Sequence, residues 1–125
     1  MIRTTEFIGK LTEVTDAFIP TTYEEAPTSG SFPFAVISGV NIIDLSEGDM
    51  LSFNIDIYAD ETKPEASTDL ENLCDTLRNN LDGLVVYVPG AFGAHIAFES
   101  QSSITEAEHD LMHRRLSMSA RIFYN

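Results

Sequence analysis

Residues 50–59 read MLSFNIDIYA, and within them Leu51, Phe53, Ile55 and Ile57 alternate with Ser52, Asn54, Asp56 and Tyr58. A period of two places the four large apolar side chains on one face of an extended strand and the polar set on the other. A one-residue slip would exchange the core side for the solvent side, so the strand has one acceptable register, and the chain must build a sheet with one greasy face around it. The preceding run FPFAVISGVNIIDL is rich in β-branched and aromatic residues and is followed by SEGD, which predicts the other arm of a hairpin. Near the C-terminus Leu116, Met118, Ala120 and Ile122 alternate with Ser117, Ser119, Arg121 and Phe123, and this predicts a further strand of the same kind.

Two helical patterns accompany the strands. Phe7, Leu11, Val14 and Phe18 fall on one helical face that Pro20 ends, predicting a helix over 4–18. Ala66, Leu70, Leu73, Leu77 and Leu81 form a second stripe, with Gly83 placed to end that helix. Thr62 with Glu65 and Thr68 with Glu71 both have capping-box spacing, which leaves the start open by a turn. TTYEEAP suggests a short edge strand, PTSGS a flexible loop, and LVVYV and HIAFES two strands separated by PGAFG. In ITEAEHDLMHRR, Ile104, Ala107 and Leu111 sit at i, i+3 and i+7, predicting a helical turn before the last strand. The expected architecture is α+β: a mainly antiparallel β-sheet of five to six strands with two α-helices packed on one face, in a single domain over residues 1–125.

Charge narrows the functional classes. Twenty acids against seven Lys and Arg give a net charge of -13, and only Arg114 and Arg115 are adjacent, so binding to a nucleic-acid backbone is disfavoured. Acidic walls instead repel phosphate within about 8 Å at physiological salt. No apolar run approaches the roughly 20 residues that span a bilayer, and the N-terminal MIRTTEFIGK lacks a signal peptide's apolar stretch, so a cytosolic protein without membrane contact is expected. Cys74 is the single cysteine, which excludes an intramolecular disulfide; within an apolar helix it reads as a core filler.

Candidate chemistry is sparse. His109 and His113 stand four apart and, on a helix, could join Glu106 or Asp110 at a metal ion. The stretch departs from HExxH, and the adjoining arginine pair would repel a cation, so no metal is expected. Asp56, Asp60 and Glu61 could do acid–base work, although Asp60 and Glu61 read more simply as turn and helix-start acids. There is no nucleophile elbow, no phosphate loop and no Cys/His pair. Hence no catalytic residue and no cofactor are assigned. The polar face carrying Ser52, Asn54, Ser117 and Ser119 is instead read as a subunit interface, and Arg114, Arg115, Arg121, Tyr58, Asp56 and Phe123 are its candidate residues. Arg114 and Arg115 admit three readings, a solvated pair, a phosphate contact or a salt bridge to acids of a neighbouring copy; the third is favoured, and on it exchanging both for Glu should leave the subunit folded and disturb assembly.

In order, YEEAP at 23–27, FPF at 32–34, FNIDIYAD at 53–60, DLENLCDTLRNNLDG at 69–83 and EHDLMHRRLSMSARIFYN at 108–125 resemble the tail terminator, or tail-to-head joining, proteins of long-tailed bacteriophages. That resemblance implies a small α+β virion subunit, assembled in the host cytoplasm and placed at the head-proximal end of the tail. It implies a homo-oligomeric ring, of six copies, that caps the tail tube protein, halts polymerisation and offers a docking surface to a head connector or head-closure protein. DNA would pass its lumen without specific binding, and no reaction is implied. Two rivals are a small acidic enzyme using carboxylates with His95 or His109, and a host protein-interaction module of the same architecture. A ring in micrographs would favour the first reading, and a deep pocket with shifted carboxylates the enzyme.

Overall fold

The computed structural model describes residues 4–25, 32–45, 48–105 and 111–124. Helix α1 (Thr4–Asp16) leads into β1 (Thr21–Tyr23), β2 (Phe34–Leu45) and β3 (Gly48–Asp60). Helix α2 (Ala66–Leu81) is followed by β4 (Val85–Val88), β5 (Phe92–Ile104) and β6 (Leu111–Tyr124). The six strands form one sheet in the order β1-β2-β3-β6-β5-β4. Only the β1–β2 pair is parallel. This is the α+β layer that the alternation predicted.

The strand periodicities set which side chains meet. In the β3–β6 ladder Leu51 lies opposite Ala120, Phe53 opposite Met118 and Ile55 opposite Leu116, so the two alternating runs share one greasy face. All six are at most 1% exposed. Both helices cover this face: Phe7, Ile8 and Leu11 of α1 and Leu70, Cys74, Leu77 and Leu81 of α2 belong to the same buried cluster. Helix α1 touches β1 and β4, the two edge strands. One helix can reach both edges only if the sheet curls, as right-handed strand twist favours.

Two irregularities permit that curl. Between Ser38 and Asn41 the β2–β3 register shifts at Gly39, whose φ is 62° and whose missing Cβ would lie 2.6 Å from the Asn54 amide. Glycine serves here because a left-handed backbone conformation and a close cross-strand approach coincide. On β5 the register shifts between Phe98 and Ser100, and Glu99 at this bulge accepts a 2.6 Å hydrogen bond from the Ser119 hydroxyl. The strand therefore continues well past HIAFES, to Ile104.

Several boundaries differ from expectation. Helix α1 ends at Asp16, and the turn after it, with the Phe18 and Ile19 amides donating to the Thr15 carbonyl, buries Ile19 and leaves Phe18 39% exposed. Neither capping box forms at α2. Glu65 is the N-cap in a left-handed conformation without a side-chain cap, Thr62 bonds Asp60, and Glu71 turns to Arg114. Gly83 does follow the helix, with φ 84° and its amide donating to the Ile96 carbonyl at 2.8 Å. Cys74 rather than Leu73 occupies the centre of the α2 stripe, since Cys74 is fully buried and Leu73 only partly so. Accordingly Leu77→Ala is expected to cost about 2–5 kcal/mol and Leu73→Ala clearly less. Urea denaturation that finds equal losses would contradict this orientation of α2.

The helical turn expected over 104–115 is not formed by its described part: Ile104 ends β5, and Leu111 to Arg115 begin β6. Residues 106–110, with Glu106, His109 and Asp110, lie outside the described residues, as does the loop at Pro27–Ser31. Among the described residues no helix is long and apolar enough to cross a membrane.

Candidate assembly surface

The face of the sheet away from the helices carries β3 residues Ser52, Asn54, Asp56 and Tyr58 opposite Ser119, Ser117, Arg115 and His113 of β6. Its centre is made of half-buried small polar groups, among which Ser117 donates to the Asn54 side-chain oxygen at 3.3 Å. Its two ends differ sharply.

At the end where β2 begins and β3 finishes, Asp56 is buried at 3% exposure and His113 at 4%. The Asp56 carboxylate accepts from His113 Nε2 at 2.7 Å, Arg115 Nε at 2.8 Å and the Ser38 hydroxyl at 2.8 Å. Three strands are thereby tied through one side chain, and its buried oxygens are satisfied as buried polar groups must be. Burial opposes the charge on Asp56, but hydrogen bonds from Arg115, His113 and Ser38 outweigh it and hold the carboxyl below its ordinary value. Aromatic rings run alongside: Phe32 against Phe34 at 5.3 Å, Phe34 stacked on Tyr58 at 5.1 Å, and Tyr58 stacked on His113 at 4.3 Å. Ser38 donates to the aspartate and not to the histidine, so no imidazole is placed to draw off its proton, and the set lacks the geometry of a nucleophile relay. It is a clamp.

At the other end the same face is apolar and open. Tyr87 is 58% exposed and Phe123 42%, with their rings edge to face at 6.1 Å. Val85, also exposed, stands beside them, and across β5 and β6 His95 pairs with Arg121. Arg121 is exposed and has no hydrogen-bond or ion-pair partner among the described residues.

The six residues singled out from the sequence are thus distributed over three places. Asp56, Tyr58 and Arg115 meet in the clamp, and Arg121 and Phe123 lie together at the opposite end of the same face. Arg114 points to the helix face, where it donates to Glu71 at 2.6 Å; Gln101 donates to the same carboxylate at 3.1 Å, fastening α2 to β5 and β6. Strand alternation sends the two adjacent arginines to opposite faces, and each finds a carboxylate within the chain. Exchanging both for Glu would therefore set like charges against Asp56 and Glu71 and weaken the subunit itself, contrary to the expectation from sequence. His113 and Ser38, which complete the clamp, were not assigned to it from sequence.

The metal and acid–base readings fare differently. His113 is a strand residue committed to Asp56, so the helical His109–His113 spacing is not available. Among the described residues no group of His, Cys, Asp and Glu is arranged to hold a metal ion. The Asp60 carboxylate binds the Thr62 hydroxyl and amide, which holds it below its ordinary value in an open turn. His95 is exposed on β5.

A family model described as tail completion protein gp17 matches residues 9–122, and the chain belongs to that family. The family is one of structural virion components, so the resemblance read in the sequence is borne out and the chain is not an enzyme. A solved chain from the virion of a native gene transfer agent particle has the same fold, with a TM-score of 0.64 at 16% sequence identity, over 90% of this chain and 85% of that one. No curated protein matches.

Proposed function

We propose that the chain assembles into a ring of six copies that caps the tail tube, stops its polymerisation and presents the docking surface for the head connector or head-closure protein. The observation that carries this reading is the family match across residues 9–122, which makes completion of a tail the role to be explained. The solved chain of the same fold belongs to the virion of a gene transfer agent particle, a setting of the same kind. The open end of the polar face supports the reading with an exposed aromatic patch beside an arginine that is unpaired among the described residues, the residue types enriched at interface centres. A closed ring needs a heterologous contact, in which one patch meets a different patch on the next copy. The candidate interface residues Arg121 and Phe123 belong to this patch. Asp56, Tyr58, Arg114 and Arg115 would act by holding the strands that present it.

Charge suits the same role. With a net charge of -13 per copy, a ring would surround passing DNA with carboxylates whose repulsion reaches about 8 Å, so the DNA moves through the lumen without being held. The ring would sit at the head-proximal end of the tail after assembly in the host cytoplasm, away from any membrane. Native mass spectrometry and negative-stain microscopy of the purified chain, with and without its tail tube protein, test the reading. Six-fold annuli at tube ends and arrested tube growth are expected. A monomer that leaves tube growth unlimited would refute it.

A further inference from the structure

We propose that successive copies join by insertion of the Tyr87 ring of one copy, braced edge to face by Phe123 and with Arg121 beside it, into a cavity at the start of α2 in the next. This rests on the ring reading for its head-to-tail repetition and names the contact that would carry it. The cavity holds roughly 200 Å³ and is walled by Phe32, Pro33, Leu70 and Leu73. That is below the roughly 300–1,000 Å³ of small-molecule sites, and it suits one inserted side chain better than a ligand. Asp60, Asp69 and Lys63 form its rim. The balance there is negative, opposite in sign to Arg121, and the Asp69 carboxylate, like Arg121, has no partner of its own among the described residues. Two unpaired opposite charges, each next to the apolar half of the same contact, are complementary between copies.

Topology keeps the two halves apart within one copy. Val88, Phe92 and Tyr124 lie in register at one end of the sheet, and Phe34, Tyr58 and His113 at the other. The ring pair stands at the first end on the polar face; the cavity opens at the second, beside Ala59 on the helix face. The halves cannot meet in one molecule, and a contact made this way repeats head to tail, which closes into a ring when the rotation permits. Gly93 shapes the inserted half: a Cβ there would fall 2.5 Å from the Phe123 ring and 3.2 Å from Tyr87, so glycine lets the rings lie against the strand.

Two probes, each adding one cysteine to the chain, test the contact. His95→Cys lies beside the ring pair and Lys63→Cys on the cavity rim, and both positions are exposed. The native Cys74 thiol is buried and pushed up to about 12, so it stays unalkylated. Mixing the two full-length variants with a short bismaleimide should give a linked pair containing one of each, while either variant alone gives none. In the same assembly assay Arg121→Glu or Asp69→Lys alone should weaken self-association at least about tenfold. Arg121→Glu combined with Asp69→Lys should restore most of it, a rescue that general damage to the fold would not show. Rings that form normally in both single charge variants, with no mixed link, would overturn this contact and leave the ring standing. Links confined to a single variant would mean two-fold pairing and overturn it. A native chain that never assembles would remove the ring and this contact together.

Discussion

Phe7→Ala is expected to cost about 3–5 kcal/mol, the range for deleting a fully buried aromatic side chain. Phe7 is 0% exposed and lies under the curl of the sheet, with its ring 6.0 Å from Phe53 on β3, edge to face, and 6.5 Å from Phe92 on β5. Such ring pairs add about 0.5–1.5 kcal/mol beyond the area they bury. Helix α1 also touches both edge strands, so loosening its central anchor frees the two ends of the sheet at once. Against a total stability of roughly 5–15 kcal/mol, the variant would stand close to unfolding at room temperature. Urea denaturation followed by circular dichroism measures the loss. Phe7→Leu, which keeps most of the volume, should lose under about 2 kcal/mol. A loss below about 1 kcal/mol for Phe7→Ala would mean that α1 is not the element that closes the core.

The features legible in the sequence were those in which one periodicity acts without competition. Leu51 to Ile57 and Leu116 to Ile122 can alternate only as strands with one greasy side, and the Leu70, Leu77 and Leu81 spacing fits only a helix, so core and layer order follow directly. Where two periods compete, local spacing misleads: Ile104, Ala107 and Leu111 satisfy a helical pattern, yet Leu111 to Arg115 pair along Asp60 to Asp56 of β3 and are held there by a ladder far away in sequence. Tertiary pairing outweighs a weak helical preference. The same misreading concealed the clamp. Asp56 and Tyr58 were recognised as neighbours on the polar face, but their partners His113 and Arg115 come opposite them only when residues 111–115 are extended. Phe18 and Ile19 show a smaller effect of the same kind, since the turn after Asp16 rotates the chain by one residue and buries the other side chain. The exposed half of the candidate surface, Arg121 and Phe123, was visible as the outward set of an alternating strand. Tyr87 joins it only through the β4–β5–β6 register, which length and composition do not specify.

Asp56→Ala is expected to cost about 2–4 kcal/mol, because it strands the donors of His113 and Arg115 on a face where His113 is 4% exposed. The upper end of the range for broken buried ion pairs is not reached, since the Arg115 side chain is 38% exposed and can turn to water. Asp56→Asn keeps the shape and removes the charge, and should lose less. The acid limb gives a sharper measurement. The Asp56 carboxyl is held below its ordinary value of about 3.9, so its contribution to stability is complete above that value and disappears as the pH falls through the lower value of the folded protein. The stability difference between the native chain and Asp56→Asn should accordingly shrink steadily as the pH falls below about pH 4. Urea midpoints at closely spaced pH values resolve this, and comparing the two proteins at each pH cancels the titration of the other carboxylates. A difference that stays unchanged down to pH 3 would show that the charge on Asp56 does not hold β2, β3 and β6 together. The aromatic stack of Phe34, Tyr58 and His113 would then be the tie between those strands.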